Sequence, residues 1–274
     1  MNKLLKISIF FVIFLVLFYS INFHVFLDGF KKLNLYYLIF TLFFSFFYLF
    51  IESIFFKKLI SNQNVEVNIK KSFFLTCNTY LFNMVLPLSG MTWRAFYLKK
   101  NYNLKYAKYV KFLIQFLILE IFFSVFFLFL LYQIYFLEKI NIYSIYGSLL
   151  IFFITLFFLK IFYVKFFKIK NFLTLAFCAC LLILSYFLIV QSIFLSLGKN
   201  SIIESIFLSL ILGISNYISI TPGTYGIFEG TAVLSSLFID MIKEEGLLIA
   251  LLIRMSLIII VLLNYFFSLK KKSY

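Results

Sequence analysis

The stretch Ser219-Ile-Thr-Pro222-Gly223-Thr-Tyr-Gly226-Ile-Phe-Glu229-Gly230 interrupts an apolar run that is long enough to cross a lipid bilayer. It contains one of the two prolines and three of the nine glycines of the chain, together with a carboxylate. Proline and clustered glycine leave backbone groups unpaired, and hydrocarbon offers those groups no hydrogen bonds. Such a stretch lies at membrane depth only against protein or a water-filled cavity. The sequence therefore predicts a broken helix, and the ionisable Glu229 beside it marks a candidate functional site.

The composition of the whole chain is that of a membrane protein. Of its 274 residues, 64% are hydrophobic and 13% are charged, and the mean hydropathy is +1.08. A soluble domain carries about 25% charged residues. The runs 33–51, 140–159 and 171–198 contain no charged residue, and a spanning helix needs about 20 apolar residues. We predict an all-α polytopic membrane protein in which residues 1–274 form a single integral membrane domain.

The distribution of Lys and Arg predicts how the chain crosses the membrane. Eight apolar segments are expected, at about 7–27, 33–55, 72–93, 109–136, 140–163, 171–198, 205–239 (broken) and 246–269. If all eight cross, 11 basic residues lie on the side of the N-terminus and 13 on the other side. If 72–93 and 205–239 are re-entrant hairpins, the numbers become 19 and 5. Because basic loops stay in the cytoplasm, we expect six spans, two hairpins and cytoplasmic N- and C-termini.

The second hairpin depends less on charge than on its Pro-Gly break, since a re-entrant first segment alone gives 17 basic residues against 7. Pro87 and Pro222 fall at corresponding places in the halves 1–137 and 138–274. Each half then has an odd number of crossings, so the halves have opposite orientations. That arrangement is typical of secondary transporters with a binding site at the membrane midplane. The alternative is that two prolines fall at matching places by chance.

A family resemblance is carried by two stretches, Asn83-Met-Val-Leu-Pro87-Leu-Ser-Gly90-Met-Thr-Trp-Arg94 and Thr221-Pro222-Gly223-Thr-Tyr-Gly226-Ile-Phe228-Glu229. They resemble the transmembrane region of lysylphosphatidylglycerol synthase, a flippase-like membrane domain that also occurs in stand-alone YbhN-type proteins. Arg254 in the last span also fits the family pattern. Two positions depart from it: Met91 replaces an acidic residue, and Thr224 replaces a frequent second glycine.

The resemblance implies translocation of a lipid or lipid-linked substrate. The bifunctional members of the family also carry a cytosolic aminoacyl-transferase domain, whereas this chain stops at Lys270-Lys-Lys-Ser-Tyr274. Aminoacylation of lipid is therefore not expected. The departure at Met91 means that no role of the family's carboxylate transfers to that position.

Two charged residues in the second half of the chain are candidate substrate-binding residues. Arg254 lies inside the last span, where burial of its charge is costly unless the guanidinium is paired or hydrated. It suits a lipid phosphate, which accepts bidentate hydrogen bonds, or an ion pair with Glu229 or Glu120. Glu229 is suited to one of three roles: it accepts hydrogen bonds from the backbone N–H groups freed at the break, it pairs with Arg254, or it transfers a proton. The alternative is a solvated carboxylate at the interface with no role.

Three further candidates lie in the first half of the chain. Glu120, near the middle of an apolar segment, needs a partner, a proton or water, and either proton coupling or pairing with Arg254 satisfies it. Arg94 follows the first break and suits a head group, or is one of several basic orientation signals. Asn83, like Asn216 near the second break, has an amide suited first to capping freed backbone groups and second to binding a ligand.

Other function classes lack support. The net charge is +15, but the basic residues flank apolar runs and no nucleic-acid-binding motif accompanies them. No catalytic Ser-His-Asp set, metal-ligand spacing or phosphate-cradling loop occurs, so we expect no enzyme, cofactor or metal. We expect a protein of a prokaryotic plasma (inner) membrane that moves an anionic phospholipid or a polyprenyl-linked lipid. The alternatives are a small-solute or ion transporter, or an accessory subunit with envelope-biosynthesis partners.

Overall fold

The architecture comes from a computed structural model. It describes residues 21–62, 65–85, 88–136, 150, 152–161, 163, 172–216, 226–239 and 241–270. The predicted break residues Pro87, Pro222 and Gly223 lie outside the described residues, as do most of the first predicted segment and part of the fifth.

The described residues form ten helices and no strand, which confirms the all-α prediction. In chain order they are α1 (Phe23–Lys31), α2 (Leu35–Ser61), α3 (Ile69–Val85), α4 (Ser89–Tyr102), α5 (Tyr106–Phe136), α6 (Phe152–Ile161), α7 (Phe172–Ser196), α8 (Ile202–Ser215), α9 (Ile227–Ser236) and α10 (Lys243–Lys270).

Four of these helices, α2, α5, α7 and α10, are long and apolar enough to cross a membrane. Large apolar side chains, among them Phe43, Phe157 and Leu173, are exposed on the outer faces of the helices. A soluble protein rarely exposes apolar surface so extensively, whereas a lipid environment accommodates it. The chain is an integral membrane protein.

Helix α2 is central to the bundle and packs against α3, α7 and α10. Small hydroxyl side chains allow these helices to approach closely. The hydroxyl groups of Thr41 and Ser192 lie 2.8 Å apart and join α2 to α7. Those of Ser45 and Ser256 lie 2.7 Å apart and join α2 to α10. These contacts fix the positions of the helices that surround the candidate site.

The two interrupted segments each form a pair of short helices that pack against each other, α3 with α4 and α8 with α9. The helices contain 17, 14, 14 and 10 residues, which correspond to about 26, 21, 21 and 15 Å. A hydrocarbon core is about 30 Å thick. Each helix alone is therefore shorter than a bilayer core.

Glycines permit close approach at two helix contacts, between α3 and α4 and between α9 and α10. A Cβ atom on Gly90 of α4 would lie 2.0 Å from the carbonyl oxygen of Thr79 on α3. A Cβ atom on Gly246, at the start of α10, would lie 2.7 Å from the carbonyl oxygen of Ala232 on α9. Only glycine fits at these two contacts without movement of the backbone.

The structure corrects one detail of the sequence analysis. Six of the 19 basic residues counted on the cytoplasmic side lie at 94–111, between two predicted segments, but that stretch contains the rest of α4 and the start of α5. Arg94 is 4% exposed, so it belongs to the packed interior and is not a surface orientation signal. Lys99 and Lys100 at the end of the same helix are exposed, as expected of residues that flank an apolar segment.

Candidate functional site

A cavity of about 350 Å³ lies among the helices and is lined by residues from both interrupted segments. Most of the lining is apolar. The polar side chains that line it are Tyr48, Glu52, Thr79, Tyr80, Asn83, Arg94, Tyr109, Tyr186, Asn216 and Arg254. The cavity therefore combines two guanidinium groups with an apolar wall.

Arg254 of α10 is held by Glu229 of α9. Its Nε atom lies 2.5 Å from Oε1 of Glu229, and its Nη2 atom lies 3.5 Å from Oε2. The guanidinium carbon also lies 4.8 Å from the centre of the Phe228 ring, which adds a cation–π contact. Of the two ion-pair partners considered for Arg254, the structure shows Glu229.

Glu229 has a second role in the local structure, because it caps the helix on which it lies. Its Oε2 atom accepts a hydrogen bond of 2.7 Å from the backbone N–H of Gly226, directly before α9. Gly226 has a φ of 82°, a conformation that glycine adopts without strain. The carboxylate near a helix N-terminus is also favoured by the helix dipole. One side chain thus orders the end of the break and orients Arg254.

Arg94 of α4 is held less completely. Its Nε atom donates a hydrogen bond of 2.6 Å to the Thr79 hydroxyl, and its guanidinium carbon lies 4.2 Å from the centre of the Phe56 ring. The nearest carboxylate is Glu52 of α2, whose Oε1 atom lies 4.0 Å from Nη2. That Nη2 atom and the hydroxyl of Tyr109 lie beside each other, and neither makes a hydrogen bond of good geometry among the described residues. Both residues line the cavity, so buried donors meet there.

The two asparagines stand at the ends of short helices. Asn83 accepts a hydrogen bond of 2.8 Å from the backbone N–H of Gly90, so its amide caps the start of α4. Asn216 ends α8 and donates a hydrogen bond of 3.4 Å to the Tyr186 hydroxyl. Met91, where the family pattern has a carboxylate, also lines the cavity.

Glu120 of α5 is not part of the large cavity. It is 3% exposed and lines a second cavity of about 30 Å³. Tyr48 and Tyr186 line both cavities and separate them, with ring centres 5.6 Å apart. The structure therefore groups Arg94, Arg254 and Asn83 at one cavity, places Glu229 behind Arg254, and sets Glu120 apart.

Sequence reasoning missed Glu52, Tyr80 and Tyr109. Glu52 lies inside the predicted segment 33–55, directly after its charge-free run, and was not selected; α2 continues beyond it to Ser61. A usable signal was present, because residues 48, 52 and 56 are spaced by four and therefore lie on one face of a helix. A carboxylate on such a face, inside an apolar segment, is a candidate by the same rule that selected Glu120.

The described residues contain no group of three His, Cys, Asp or Glu side chains that could hold a metal ion. The chemistry that the large cavity offers is the binding of an anion. Guanidinium groups bind phosphate and carboxylate oxygens in bidentate geometry, and they do so strongly where water is excluded.

Comparison with known proteins identifies the family but supplies no characterised relative. No curated protein and no solved structure matches the chain. Residues 3–172 match the family described as the lysylphosphatidylglycerol synthase TM region. The match contains the first interrupted segment with Asn83 and Arg94, and it ends before Glu229 and Arg254. It covers more than half of the chain, which therefore belongs to the lysylphosphatidylglycerol synthase transmembrane-region family.

Proposed function

We propose that this protein moves an anionic phospholipid or a polyprenyl-linked lipid between the two leaflets of the membrane, with the head group in the large cavity. The observation that carries the proposal is a pair of neighbouring buried donors at the wall of that cavity, Arg94 Nη2 and the Tyr109 hydroxyl, whose protons meet no acceptor with good hydrogen-bond geometry among the described residues. A buried polar group without a partner is rare in proteins and indicates a missing ligand or water. A phosphate oxygen satisfies both donors.

The size and wall of the cavity support a lipid cargo. A volume of about 350 Å³ lies at the lower end of the range of ligand-binding pockets, which suits a head group better than a whole lipid. The predominantly apolar lining lets acyl or prenyl chains leave the site toward the surrounding lipid. In this proposal Arg94 binds the phosphate directly, and Arg254, oriented by Glu229, attracts the anion from the second interrupted segment. Asn83 keeps the wall in place through its cap on α4.

The proposal includes the membrane topology. We infer that the α3–α4 and α8–α9 pairs are re-entrant hairpins that enter from opposite faces, in an inverted repeat of residues 1–137 and 138–274. The short helices support this inference. When buried Arg94 is removed from the 19 basic residues on the N-terminal side, 18 remain against 5. The asymmetry supports cytoplasmic termini in the plasma membrane of a prokaryote.

No covalent step belongs to this function. The protein acts as a transporter without catalytic residues, cofactor or metal, and its partners are membrane lipids. Envelope-biosynthesis proteins that supply or consume the lipid are further expected partners.

A reconstituted assay tests the function. The purified protein is placed in vesicles that contain phosphatidylglycerol with a fluorescent acyl chain, and a reductant outside the vesicles bleaches the dye that reaches the outer leaflet. We expect Arg94→Gln to slow the movement at least about tenfold, because a charge-assisted hydrogen bond contributes about 1.5–3 kcal/mol. Lys100→Gln is the matched control, since Lys100 is an exposed cation on the same helix.

The outcomes of this assay separate the alternatives. Movement no faster than in protein-free vesicles contradicts lipid translocation. Uptake of a soluble solute into the same vesicles then favours a small-solute transporter. Loss of a co-purifying envelope protein in Arg94→Gln, without transport of either kind, favours an accessory subunit.

Cysteine labelling tests the topology. The free cysteines Cys77, Cys178 and Cys180 are first replaced by alanine, and exposed Lys105 is changed to cysteine. We expect a membrane-impermeant maleimide to label this cysteine only from the cytoplasmic side. Labelling from outside the cell contradicts a re-entrant α3–α4 hairpin.

A further inference from the structure

The small cavity beside Glu120 has no role in the binding of a head group at the large cavity. Glu120 is buried, and its Oε2 atom has no hydrogen-bond partner among the described residues. The cavity beside it, about 30 Å³ in volume, has room for a water molecule. Two buried hydroxyl side chains, Ser124 of the same helix and Ser209 of α8, complete a polar lining.

The charged and titratable groups around Glu120 offer it no positive partner. Helix α2 contributes Tyr48 and Glu52, and α7 contributes Tyr186, whereas α8 contributes the uncharged Ser209. The described residues that line this cavity include no Lys or Arg. A carboxylate charge in such surroundings is very costly, and a carboxylate there is neutralised by a proton or a bound cation.

A row of hydroxyl groups connects this cavity to the arginine site. Tyr48 lines both cavities. Tyr80 of α3 lies beside both Tyr48 and Glu52. Glu52 in turn lies 4.0 Å from Arg94. The row therefore begins at Glu120, a carboxylate without a cation. It passes Tyr48 and Tyr80 and ends at Glu52, a carboxylate that has one.

We propose that Glu120 is a proton-binding site and that Tyr48 and Tyr80 pass its proton to Glu52. In the transfer, a water molecule in the small cavity receives the proton of Glu120 and gives one of its own to Tyr48. Tyr48 gives its own proton to Tyr80, which gives its own to Glu52. Both tyrosines end neutral, one carboxylate has gained a proton and the other has lost one, and Glu120 is reloaded from solvent.

The trigger for this transfer rests on the proposed function. An anionic head group that pairs with Arg94 competes with Glu52 for the guanidinium. Glu52 then lies buried without its cation, a condition in which a carboxylate takes up a proton. One bound anion thus draws one proton along the hydroxyl row, which couples lipid movement to a proton gradient.

Infrared spectroscopy on the full chain in detergent tests the proton site independently of transport. We expect a protonated carboxylic acid band at neutral pH in the unchanged protein and in Glu66→Gln, whose residue is exposed. The band should be lost in Glu120→Gln. A band that persists in Glu120→Gln overturns the site. If the band disappears when choline chloride is replaced by sodium chloride, Glu120 binds a metal cation. That result also overturns the proton site.

The hydroxyl row is tested with Tyr48→Phe, with Tyr36→Phe of the same helix as the control because Tyr36 is exposed. Short-chain phosphatidylglycerol should shift the carboxylic acid band in the control and leave it unchanged in Tyr48→Phe. An equal shift in both variants overturns the row.

A pH gradient across vesicles tests the coupling. The gradient should accelerate lipid movement several-fold in the unchanged protein and have no effect in Glu120→Gln. Lipid movement that is insensitive to the gradient, with the infrared band present, overturns the coupling and leaves the translocation intact. Absence of any lipid movement, with the band present, removes the proposed function and its coupling while the proton site stands.

Discussion

Each of the two arginines of the large cavity faces a carboxylate, but the two sites place the cation and the carboxylate on opposite kinds of helix. At the first site the cation, Arg94, lies on an interrupted segment and the carboxylate, Glu52, lies on the long helix α2. At the second site the carboxylate, Glu229, lies on the interrupted segment and Arg254 lies on the long helix α10. Each guanidinium also contacts a phenylalanine ring.

The difference lies in how completely each arginine is paired. Arg254 approaches its carboxylate to 2.5 Å, and that carboxylate also caps α9. Arg94 lies 4.0 Å from its carboxylate and retains a nitrogen without a hydrogen-bond partner among the described residues. Removing one partner of a closely paired buried ion pair leaves an uncompensated charge and destabilises the fold, whereas a loosely paired cation is available to a ligand. We therefore infer that the second site is mainly structural and the first mainly binds the anion.

The largest effect is expected at the glycine that positions Arg94. Gly90→Ala puts a Cβ atom 2.0 Å from the Thr79 carbonyl oxygen, so the backbone of α4 must move away from α3. Thr79 also holds Arg94, and the first site should be lost together with more than about 3 kcal/mol of stability, because overpacking against backbone cannot relax by rotation of a side chain. Thermal unfolding in detergent measures the loss.

Gly230→Ala is the control for this change, since a Cβ atom at Gly230 meets nothing within 4 Å. It should change stability by no more than about 1 kcal/mol. Equal unfolding temperatures for the two alanine variants would show that α3 and α4 do not pack as described.

Breaking the second site should have the next largest effect. Glu229→Gln removes the charge that neutralises partly buried Arg254 and weakens the cap on Gly226. We expect a loss of about 3 kcal/mol, the lower end of the result for a fully buried ion pair, because Arg254 keeps some exposure. A double-mutant cycle with Arg254→Gln should give a coupling energy clearly above that for Arg94 and Glu52. A larger coupling energy for Arg94 and Glu52 than for Arg254 and Glu229 would assign the structural role to the first site.

Removing the carboxylate of the first site should affect binding more than stability. Glu52→Gln eliminates a partner at 4.0 Å, so the loss of stability should stay below that of Glu229→Gln, whose ion pair is closer at 2.5 Å. Binding of short-chain phosphatidylglycerol, measured by calorimetry, should tighten several-fold because Glu52 no longer competes for Arg94. Weaker binding would mean that Glu52 orients Arg94 for the ligand.

The fold was predictable from the sequence as far as composition and charge determine it. Long charge-free runs gave the membrane class, and Pro and Gly at two places gave interrupted segments. Helix limits were less predictable, because α4 continues through Arg94 to Tyr102, where lysines appear to belong to a loop. Its register is set by the contact of Gly90 with α3, which no local pattern reveals.

The candidate site was predictable in part. Asn83 and Arg94 were selected because they lie beside a break in apolar sequence, and Arg254 because a charge inside a span requires a partner; all three line one cavity. Their partners depend on how distant helices pack. The contact between Arg94 and Glu52 joins residues on different helices. The separation of Glu120 from the arginines depends on Tyr48 and Tyr186, which the sequence does not distinguish from other aromatic core residues.

The smallest effect concerns the connection between the two sites. The Ser45 and Ser256 hydroxyls join α2, which carries Glu52, to α10, which carries Arg254. Ser45→Ala should reduce stability by about 0.6 kcal/mol, the average for a hydrogen bond between helices in a membrane. Ser61→Ala is the control, because that hydroxyl bonds within its own helix.

If the sites are independent, the losses from Ser45→Ala and Glu229→Gln add within about 0.5 kcal/mol. A larger deviation would mean that the pairing of Arg254 depends on the position of α2. The two arginines would then respond to a ligand as one unit, and the contrast between a structural and a binding site would describe only the state without ligand.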